Sequence, residues 1–505
     1  MRTPSRADVG RPLGPLLFAA ILVGGDGIAG PAVPVLSGPA VSALACTAWI
    51  VIWWVTEAVP IPVTSLLPVV LFPTTGVLDV TETTTAYGDP IVFLLLGGFL
   101  LALAVERTGL HERISLFVIS SVGVNAPGLL LGFMAATALL SMWISNTATA
   151  MLMVPIAIAV ISQTYTVTPG PRVDVPEGVG DLVHDTDEDP DALPATRFGI
   201  ALMLGIAYAA SVGGVGTLIG SPPNAVLAGV AESQLGVDVG FLQWMLFGFP
   251  VAVVGTVAVW ATLLVVLRPT VEVEPGREAV AAHKLAALGA PSRAERRIAA
   301  LFGLVALGWL TRPFLITPVF PAVTDATIAI AGGVAAFLVP VNARRREFLL
   351  DWDYALRLPW GVLLLLGAGF ALARAFQRTG IDRATADLIT AVGLTELLGL
   401  VVLLVVTVVV LTNVTSNPAT ASVFTPIAVA VAGSIGAPPL TLMAAVALAA
   451  SFAFVLPVAT APNAIVFGSG YLTIPEMARV GAAVSIVGIA VIVVAVVWWL
   501  PLVWM

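Results

Sequence analysis

Charged residues are scarce in this 505-residue chain, where Asp, Glu, Lys and Arg together make up only 10% of the sequence. A soluble domain typically has about a quarter of its residues charged. The mean hydropathy is +1.03. Uncharged runs such as 27–56 and 480–505 are long enough to cross the roughly 30 Å of hydrocarbon in a bilayer. The composition therefore excludes an ordinary soluble protein and predicts a polytopic membrane protein.

Cysteine and histidine are nearly absent, with one cysteine, Cys46, and three histidines in the whole chain. One cysteine excludes an internal disulfide, and no Cys- or His-rich framework for a metal or redox centre is present. His111, His184 and His283 all fall in predicted loops. The sequence also contains no HExxH, P-loop or GxSxG motif. We therefore expect neither an ATPase nor an enzyme.

Apolar blocks divide the chain into two halves and predict an all-α fold. We expect about eleven membrane helices plus two re-entrant hairpins. The predicted units are an N-terminal segment with the first membrane helix (1–40), a first repeat (41–267), a cytoplasmic linker (268–297) and a second repeat (298–505). The repeats contain two hairpins (128–165 and 395–435) and two broken helices (197–232 and 438–470), with an acidic loop at 166–196.

Arginines set the predicted orientation, because cytoplasmic loops of membrane proteins carry an excess of basic residues. If hairpin 128–165 enters and leaves on one side, a cytoplasmic N-terminus places three basic loops inside: 107–113, 268–297 and 343–358. The loop from Asp79 to Asp89 contains no basic residue and then lies outside. We expect a multi-pass protein of the plasma or inner membrane.

An internal repeat becomes visible when the chain is compared with itself. Four landmarks recur 271 residues later: 106–110 at 377–381, Phe99 at Phe370, Ser145-Asn146 at Ser416-Asn417, and Pro155 at Pro426. A Pro-Asn pair at 223–224 recurs after 239 residues, because the second half lacks the acidic loop. With five spans and one hairpin per repeat, the second copy starts from the opposite side. This predicts an inverted repeat, an architecture whose substrate sites lie between the repeats near the bilayer midplane.

Clusters of polar side chains interrupt both predicted hairpins. We name residues 141–149 the first tip and residues 412–420 the second tip; both are rich in Ser, Thr and Asn. Backbone that leaves a helix inside a bilayer persists only where protein or a cavity surrounds it. Hydroxyl, amide and carbonyl oxygens suit a cation such as sodium, and free N–H groups at a helix start suit a carboxylate. An isolated Ser-Asn pair would be explained by back-bonding within a helix, but the repetition favours a binding site.

Glycine and proline predict two unwound helices, at 213–224 and 456–463. Glycine permits unusual backbone angles, and proline cannot continue the helical hydrogen-bond ladder. Carbonyls of unwound helices coordinate cations in many transporters. Neither tip and neither unwound segment contains a basic residue. An anion held there would depend on N–H groups, hydroxyls and co-bound cations, which favours cation-coupled uptake.

Together, the paired Ser-Asn tips and the Pro-Asn breaks resemble those of the divalent anion/sodium symporter family, which carries dicarboxylates, citrate and sulfate. The resemblance covers nearly the whole chain and includes the early stretch at 53–60 (WWVTEAVP). It implies a secondary transporter that couples inward sodium movement to uptake of small divalent anions. The most favoured substrates are C4-dicarboxylates such as succinate, malate or fumarate. It also implies a homodimer whose transport domain moves against a fixed scaffold, as an elevator.

The resemblance also assigns site residues by their positions in the motifs. It implies one sodium site in each half, the first formed by Ser141, Ser145, Asn146 and Gly220, and the second by Thr412, Thr415, Asn417 and Ala459. The implied anion contacts are Asn146, Thr147, Ser221, Ser416, Asn417 and Thr460.

Two residues of the second half depart from the family pattern. Pro418 stands where a third hydroxyl residue is common, and it removes one hydroxyl and one backbone N–H. We therefore expect weaker anion contacts in this half. Ala461 replaces the first proline of the Pro-Pro-Asn motif, so we expect a softer break there. The sequence leaves open a cation-independent dicarboxylate exchanger, a carrier of sulfate or another oxyanion and, from a different class, an ion channel.

Overall fold

A computed structural model describes residues 6–28, 38–121, 125–164, 197–269, 280–342, 344–381, 384 and 396–504. The acidic loop predicted at 166–196 lies outside these ranges. Within them the chain is helical, apart from one short antiparallel pair, β1 (Pro340–Asn342) and β2 (Glu347–Phe348). This confirms the expected all-α fold.

Twelve helices precede the linker. They are α1 (Arg6–Ile28), α2 (Gly38–Thr56), α3 (Ile61–Thr64), α4 (Leu67–Thr75), α5 (Val80–Tyr87), α6 (Pro90–Thr108), α7 (Leu110–Ser121), α8 (Ala126–Ser141), α9 (Asn146–Thr164), α10 (Arg197–Gly213), α11 (Pro222–Val230) and α12 (Phe241–Leu267). This count covers only residues that the structure describes.

The linker and the second half contribute a further series in the described ranges. They are α13 (Val280–Ala287), α14 (Arg293–Thr311), α15 (Asp325–Leu338), α16 (Trp352–Ala355), α17 (Trp360–Thr379), α18 (Leu397–Thr412), α19 (Asn417–Ser434), α20 (Pro439–Ala450), α21 (Ala461–Phe467), α22 (Ile474–Val494) and α23 (Leu500–Trp504). Helix α14 begins at Arg293, within the last residues of the predicted linker (268–297).

Membrane-length helices dominate the described part of the chain. Eight segments there are long and apolar enough to cross a membrane. Outside the hairpins, three shorter apolar segments at 61–75, 325–338 and 439–450 occupy the remaining predicted spans. The architecture therefore agrees with about eleven spans, eight of membrane length and three shorter.

Helix boundaries reproduce the internal repeat. Helices α8 and α18 both begin and end 271 residues apart, and α9 and α19 begin at the same spacing. Helices α6 and α17 end at Gly109 and Gly380, whose φ angles of 78° and 77° are left-handed values that favour glycine. The starts of α11 and α21 lie 239 residues apart, and those of α12 and α22 lie 233 apart. The repeat thus extends from α6 to the last long helix.

Corresponding helices of the two halves run in opposite directions. The Tyr354 hydroxyl, just before α17 begins, donates to Glu106 Oε1 near the end of α6 at 3.3 Å. At the other end, Arg374 of α17 donates to the Glu82 carbonyl, which precedes α6, at 3.1 Å. The start of α17 therefore lies beside the end of α6, and the predicted inverted repeat is confirmed.

The three basic loops lie on one side of the molecule. Arg113 Nε contacts Glu295 Oε1 at 2.7 Å, which joins loop 107–113 to the linker region. Arg107 forms an ion pair with Asp351, which joins the same loop to 343–358. These contacts connect the loops that the arginine distribution places together.

Both predicted hairpins are present, with turns at 142–145 and 413–416 between their arms. The 16 residues of α8 extend about 24 Å, which is less than the bilayer core. Trp260, near the end of α12, donates to the Pro127 carbonyl at 2.9 Å, whereas Trp244, near its start, donates to the Val215 carbonyl at 2.8 Å. The first hairpin therefore begins near the end of α12, and its tip lies beside the start of this helix, where the Trp143 ring stacks on Phe241.

Unwound segments interrupt two membrane helices. The first break (214–221) separates α10 from α11, and the second break (451–460) separates α20 from α21. A glycine brings the following long helix against each break: a Cβ atom on Gly248 of α12 would lie 2.5 Å from the Val215 carbonyl oxygen. On Gly481 of α22, it would overlap the Phe454 carbonyl. Glycine at these positions allows close packing of helix on unwound backbone.

Substitution of Gly481 tests this packing. Gly481→Ala should lower the melting temperature in detergent, with a destabilisation of about 1–3 kcal/mol from overpacking. Gly399→Ala is the matched control, because a Cβ atom on Gly399 of α18 meets nothing within 4 Å and alanine favours a helix. Equal melting temperatures for the two variants would contradict the close contact.

Candidate functional site

Both tips and both breaks converge on one cavity of about 600 Å³. All six residues that the sequence predicts as anion contacts line it. They are Asn146, Thr147, Ser221, Ser416, Asn417 and Thr460. Of the predicted sodium ligands, Ser145, Gly220 and Ala459 also line the cavity. The fold therefore brings together residues that are more than 300 positions apart in sequence.

Oxygen atoms crowd one space beside the first tip. Ser141 Oγ donates at 2.6 Å to both Asn146 Oδ1 and the Ala210 carbonyl. A Cβ atom on Gly220 would lie 2.6 Å from the Gly214 carbonyl oxygen and 2.9 Å from the Met142 carbonyl oxygen. A side chain at Gly220 would therefore fill this space. Neutral side-chain and carbonyl oxygens of this kind suit a hard cation such as sodium.

The second tip repeats this arrangement. Thr412 Oγ1 donates to Asn417 Oδ1 at 2.8 Å and to the Ala450 carbonyl at 2.9 Å. Thr415, a predicted sodium ligand, instead donates to the Leu411 carbonyl at 2.9 Å and pairs with the Thr420 hydroxyl. Its hydroxyl is therefore occupied within its own hairpin. The hydroxyl–amide pair is common to both halves, whereas the Thr415 contact belongs to the second half alone.

A buried asparagine holds each break in shape. Asn224 Nδ2 donates to the carbonyls of Gly214 and Thr217 at 3.0 and 2.8 Å. Asn463 Nδ2 donates to the carbonyls of Ala453 and Leu456, both at 3.0 Å. The asparagine donor and both carbonyl acceptors of the second break lie 239 residues after those of the first break. The Pro-Asn motif thus supplies the donors that an unwound membrane helix requires.

In each half, a second polar contact joins the tip to the break. The side chain that forms it belongs to the break in the first half and to the tip in the second half. In the first half, Thr217 Oγ1 donates to the Met142 carbonyl and accepts from Gly220 N at 3.0 Å. In the second half, Asn413 Oδ1 of the tip accepts from Val455 N at 2.8 Å. Sequence reasoning missed Thr217 and Asn413, because the repeat-related residues are apolar. Leu456 corresponds to Thr217, and Met142 corresponds to Asn413.

The two tips also differ in the contacts of their serine hydroxyls. Ser145 Oγ accepts from Ala148 N at 3.2 Å, whereas Ser416 Oγ is buried and has no partner among the described residues. Pro418 lies in the first turn of α19, where backbone N–H groups have no helical acceptor. The second tip therefore lacks one N–H donor but retains an unpaired hydroxyl at the cavity.

The second break is fully formed despite Ala461. Ala461 begins α21 in the same place where Pro222 begins α11, and the second break is longer than the first. Thr460 caps α21, since its hydroxyl accepts from Asn463 N at 3.2 Å. This cap and the Asn463 amide organise the segment without a second proline, and a softer break at Ala461 stays a prediction.

Two hydrogen bonds connect the halves at the breaks. Ser221 and Ser451 hydroxyls lie 3.0 Å apart, and the Tyr208 hydroxyl donates to the Phe454 carbonyl at 3.0 Å. All four residues are buried. These contacts hold the two breaks against each other on one wall of the site.

Two charged residues also line the cavity, although the tips and breaks contain neither. They are Arg357, from the loop before α17, and Glu106, near the end of α6. In the sequence, Glu106 belongs to the repeated landmark 106–110, and Arg357 belongs to the basic loop 343–358. The signal that could have found Arg357 is its position in the loop that leads into α17, the counterpart of α6.

Loss of the Thr217 hydroxyl should loosen the first tip. Thr217→Val removes the donor to the buried Met142 carbonyl, at an expected cost of about 1–3 kcal/mol, which thermal unfolding in detergent would measure. Thr256→Val is the matched control: Thr256 is also buried, but its hydroxyl donates only to Ala252 in its own helix, a bond whose loss is nearly neutral. An equal change in melting temperature for both variants would argue against the contact.

Comparison with known proteins agrees with this geometry. The family model described as sodium:sulfate symporter transmembrane region matches residues 16–505. The sodium-dependent dicarboxylate transporter SdcS of Staphylococcus saprophyticus is 39% identical over 497 residues, which cover 98% of this chain and 91% of that protein. The SdcS protein of Staphylococcus aureus strain USA300 is 38% identical over 500 residues, with the same coverage.

A solved structure has a similar fold. The YdaH transporter of Alcanivorax borkumensis superimposes with a TM-score of 0.55 over 84% of this chain and 88% of that one, at 14% sequence identity. At this identity the similarity concerns the fold alone. The family match over nearly the full length shows that this chain belongs to the sodium:sulfate symporter family of membrane transporters.

Proposed function

We propose that this protein couples inward movement of sodium ions to uptake of a C4-dicarboxylate such as succinate, malate or fumarate. The observation that carries this proposal is the single cavity lined by both tips and both breaks. The names of the SdcS relatives, sodium-dependent dicarboxylate transporters at 38–39% identity, support the same substrate class.

We infer two cation sites, one in each half, from the oxygen atoms that meet beside each tip. In each half, a hydroxyl, an asparagine amide oxygen and a helix-terminal carbonyl meet within hydrogen-bond distance, at Ser141 and Asn146 and again at Thr412 and Asn417. The ligands are neutral, so a cation bound there leaves positive charge beside the cavity. Two sodium ions would balance a dianion, which couples anion binding to cation binding.

The presence of two helix starts at one cavity favours a dicarboxylate over sulfate. Helices α9 and α19 begin at Asn146 and Asn417, so two positive helix ends and their free N–H groups meet one cavity. A C4-dicarboxylate has two separate anionic groups, one for each tip, whereas sulfate has a single charge centre. The volume of about 600 Å³ also exceeds the need of one tetrahedral anion.

The same proposal includes a moving unit and a homodimer. The first repeat (41–267) and second repeat (298–505) would each contribute a tip and a break to one transport domain, since the Ser221–Ser451 and Tyr208–Phe454 bonds hold both breaks together. We propose that this domain moves as an elevator against a dimeric scaffold. The basic loops favour a cytoplasmic N-terminus in the plasma or inner membrane.

Uptake into proteoliposomes tests the proposed function. Labelled succinate should accumulate when an inward sodium gradient is present, and should not accumulate when choline replaces sodium. Uptake should saturate with succinate concentration, and excess succinate should compete more strongly than sulfate.

Other results would point to the alternatives. Equal uptake without sodium, but only with internal dicarboxylate, would contradict symport and identify an exchanger. Stronger competition by sulfate would identify an oxyanion carrier. A current that does not saturate and shows no counter-flow would identify a channel.

A further inference from the structure

A group of charged and aromatic residues lies at the solvent end of the cavity. Arg357 is exposed and also lines the cavity, so its guanidinium lies where the cavity meets water. Among the described lining residues it is the one cationic side chain, and Glu106 is the one carboxylate. Neither belongs to a tip or a break.

Tyr354 connects these two residues. Its ring lies beneath Arg357, with the guanidinium carbon 4.4 Å from the ring centroid, a favourable cation–π distance. Its hydroxyl donates to Glu106 Oε1 at 3.3 Å. Burial raises the pKa of the Tyr354 phenol, so the phenol remains a neutral donor at physiological pH. The aromatic ring therefore orients Arg357, and its hydroxyl satisfies Glu106.

Arg357 forms no direct ion pair within the described part of the chain, although the Glu106 carboxylate lines the same cavity. Arg107 lies 5.8 Å from the same ring, but it forms an ion pair with Asp351. Within the described residues, no carboxylate lies at ion-pair distance from Arg357, whereas Arg107, Arg113 and Arg312 each have at least one. Arg357 thus retains a positive charge that faces the route to the tips.

We propose that Arg357, held on the Tyr354 ring, is a specificity-determining residue that attracts the divalent anion to the cavity. This inference rests on the proposed function and adds a residue that none of the sequence motifs contains. A positive charge at the mouth of a cleft raises the local concentration of anions, and dissolved salt screens the effect. Because the attraction scales with ligand charge, a dianion gains more from it than a monoanion.

The expected consequence concerns substrate affinity more than turnover. Arg357→Gln should raise KM for succinate by about three- to fivefold, as expected for loss of one solvent-exposed charge contact, with maximal uptake at saturating sodium changed less than twofold. In the wild type, KM should rise with ionic strength, and in Arg357→Gln this rise should be nearly absent. Arg357→Lys should keep the salt dependence, because the charge remains, while losing part of the affinity with the planar stacked group.

The experiment measures succinate uptake into proteoliposomes at fixed sodium and varied choline chloride. Arg345→Gln is the matched control: it removes the same charge from an exposed residue of the same loop region that does not line the cavity. Its KM and salt dependence should equal those of the wild type. Ligand-induced thermal stabilisation, measured on the purified variants, gives a second readout of succinate affinity.

The outcomes separate this inference from the function on which it rests. If the wild type transports succinate and Arg357→Gln has a KM within twofold of it with the same salt dependence, Arg357 does not attract the anion. An equal loss in Arg345→Gln would likewise overturn the inference, because the effect would then be general to surface charge. If the wild type takes up no succinate, the proposed function fails, and this inference fails with it.

Discussion

The structure depends on satisfying backbone polar groups where the chain leaves a helix inside a bilayer. A hydroxyl at the end of each hairpin arm bridges the tip asparagine and a carbonyl in the last turn of a neighbouring broken helix, through Ser141 in one half and Thr412 in the other. Because lipid offers no hydrogen bonds, such a break persists only with protein partners. The oxygens that stabilise the break are also those that suit a cation.

Because of the inverted symmetry, the two tips line one shared cavity. Each tip alone offers one helix start and one set of neutral oxygens, but the opposite directions of α6 and α17 bring both tips to one cavity. The halves are related without being identical. Thr217 joins the tip to the break in the first half, and Asn413 joins them in the second. The two halves therefore satisfy the same structural requirement with different side chains.

Much of this arrangement could be predicted from sequence, because membrane helices, prolines and repeated motifs leave strong local signals. The 271-residue spacing located both hairpins, and the family resemblance placed six anion contacts that all line the cavity. Contacts that exist only in the folded chain could not be predicted. Thr217 and Asn413 have no polar counterparts at repeat-related positions, and Arg357 reaches the cavity from a loop outside every motif. The contacts that organise the second break, the Thr460 cap and the Asn463 amide, are likewise visible only in the folded chain.

The central claim is that both tips form one shared, sodium-dependent site. Equilibrium binding of labelled succinate to purified protein tests it most directly, with Asn146→Ala and Asn417→Ala compared in sodium and in choline. Asn125→Ala is the control, since Asn125 caps the far end of α8. The account predicts that wild type and Asn125→Ala bind succinate only in sodium, and that each tip variant loses binding. Wild-type affinity in either folded tip variant would contradict a shared site.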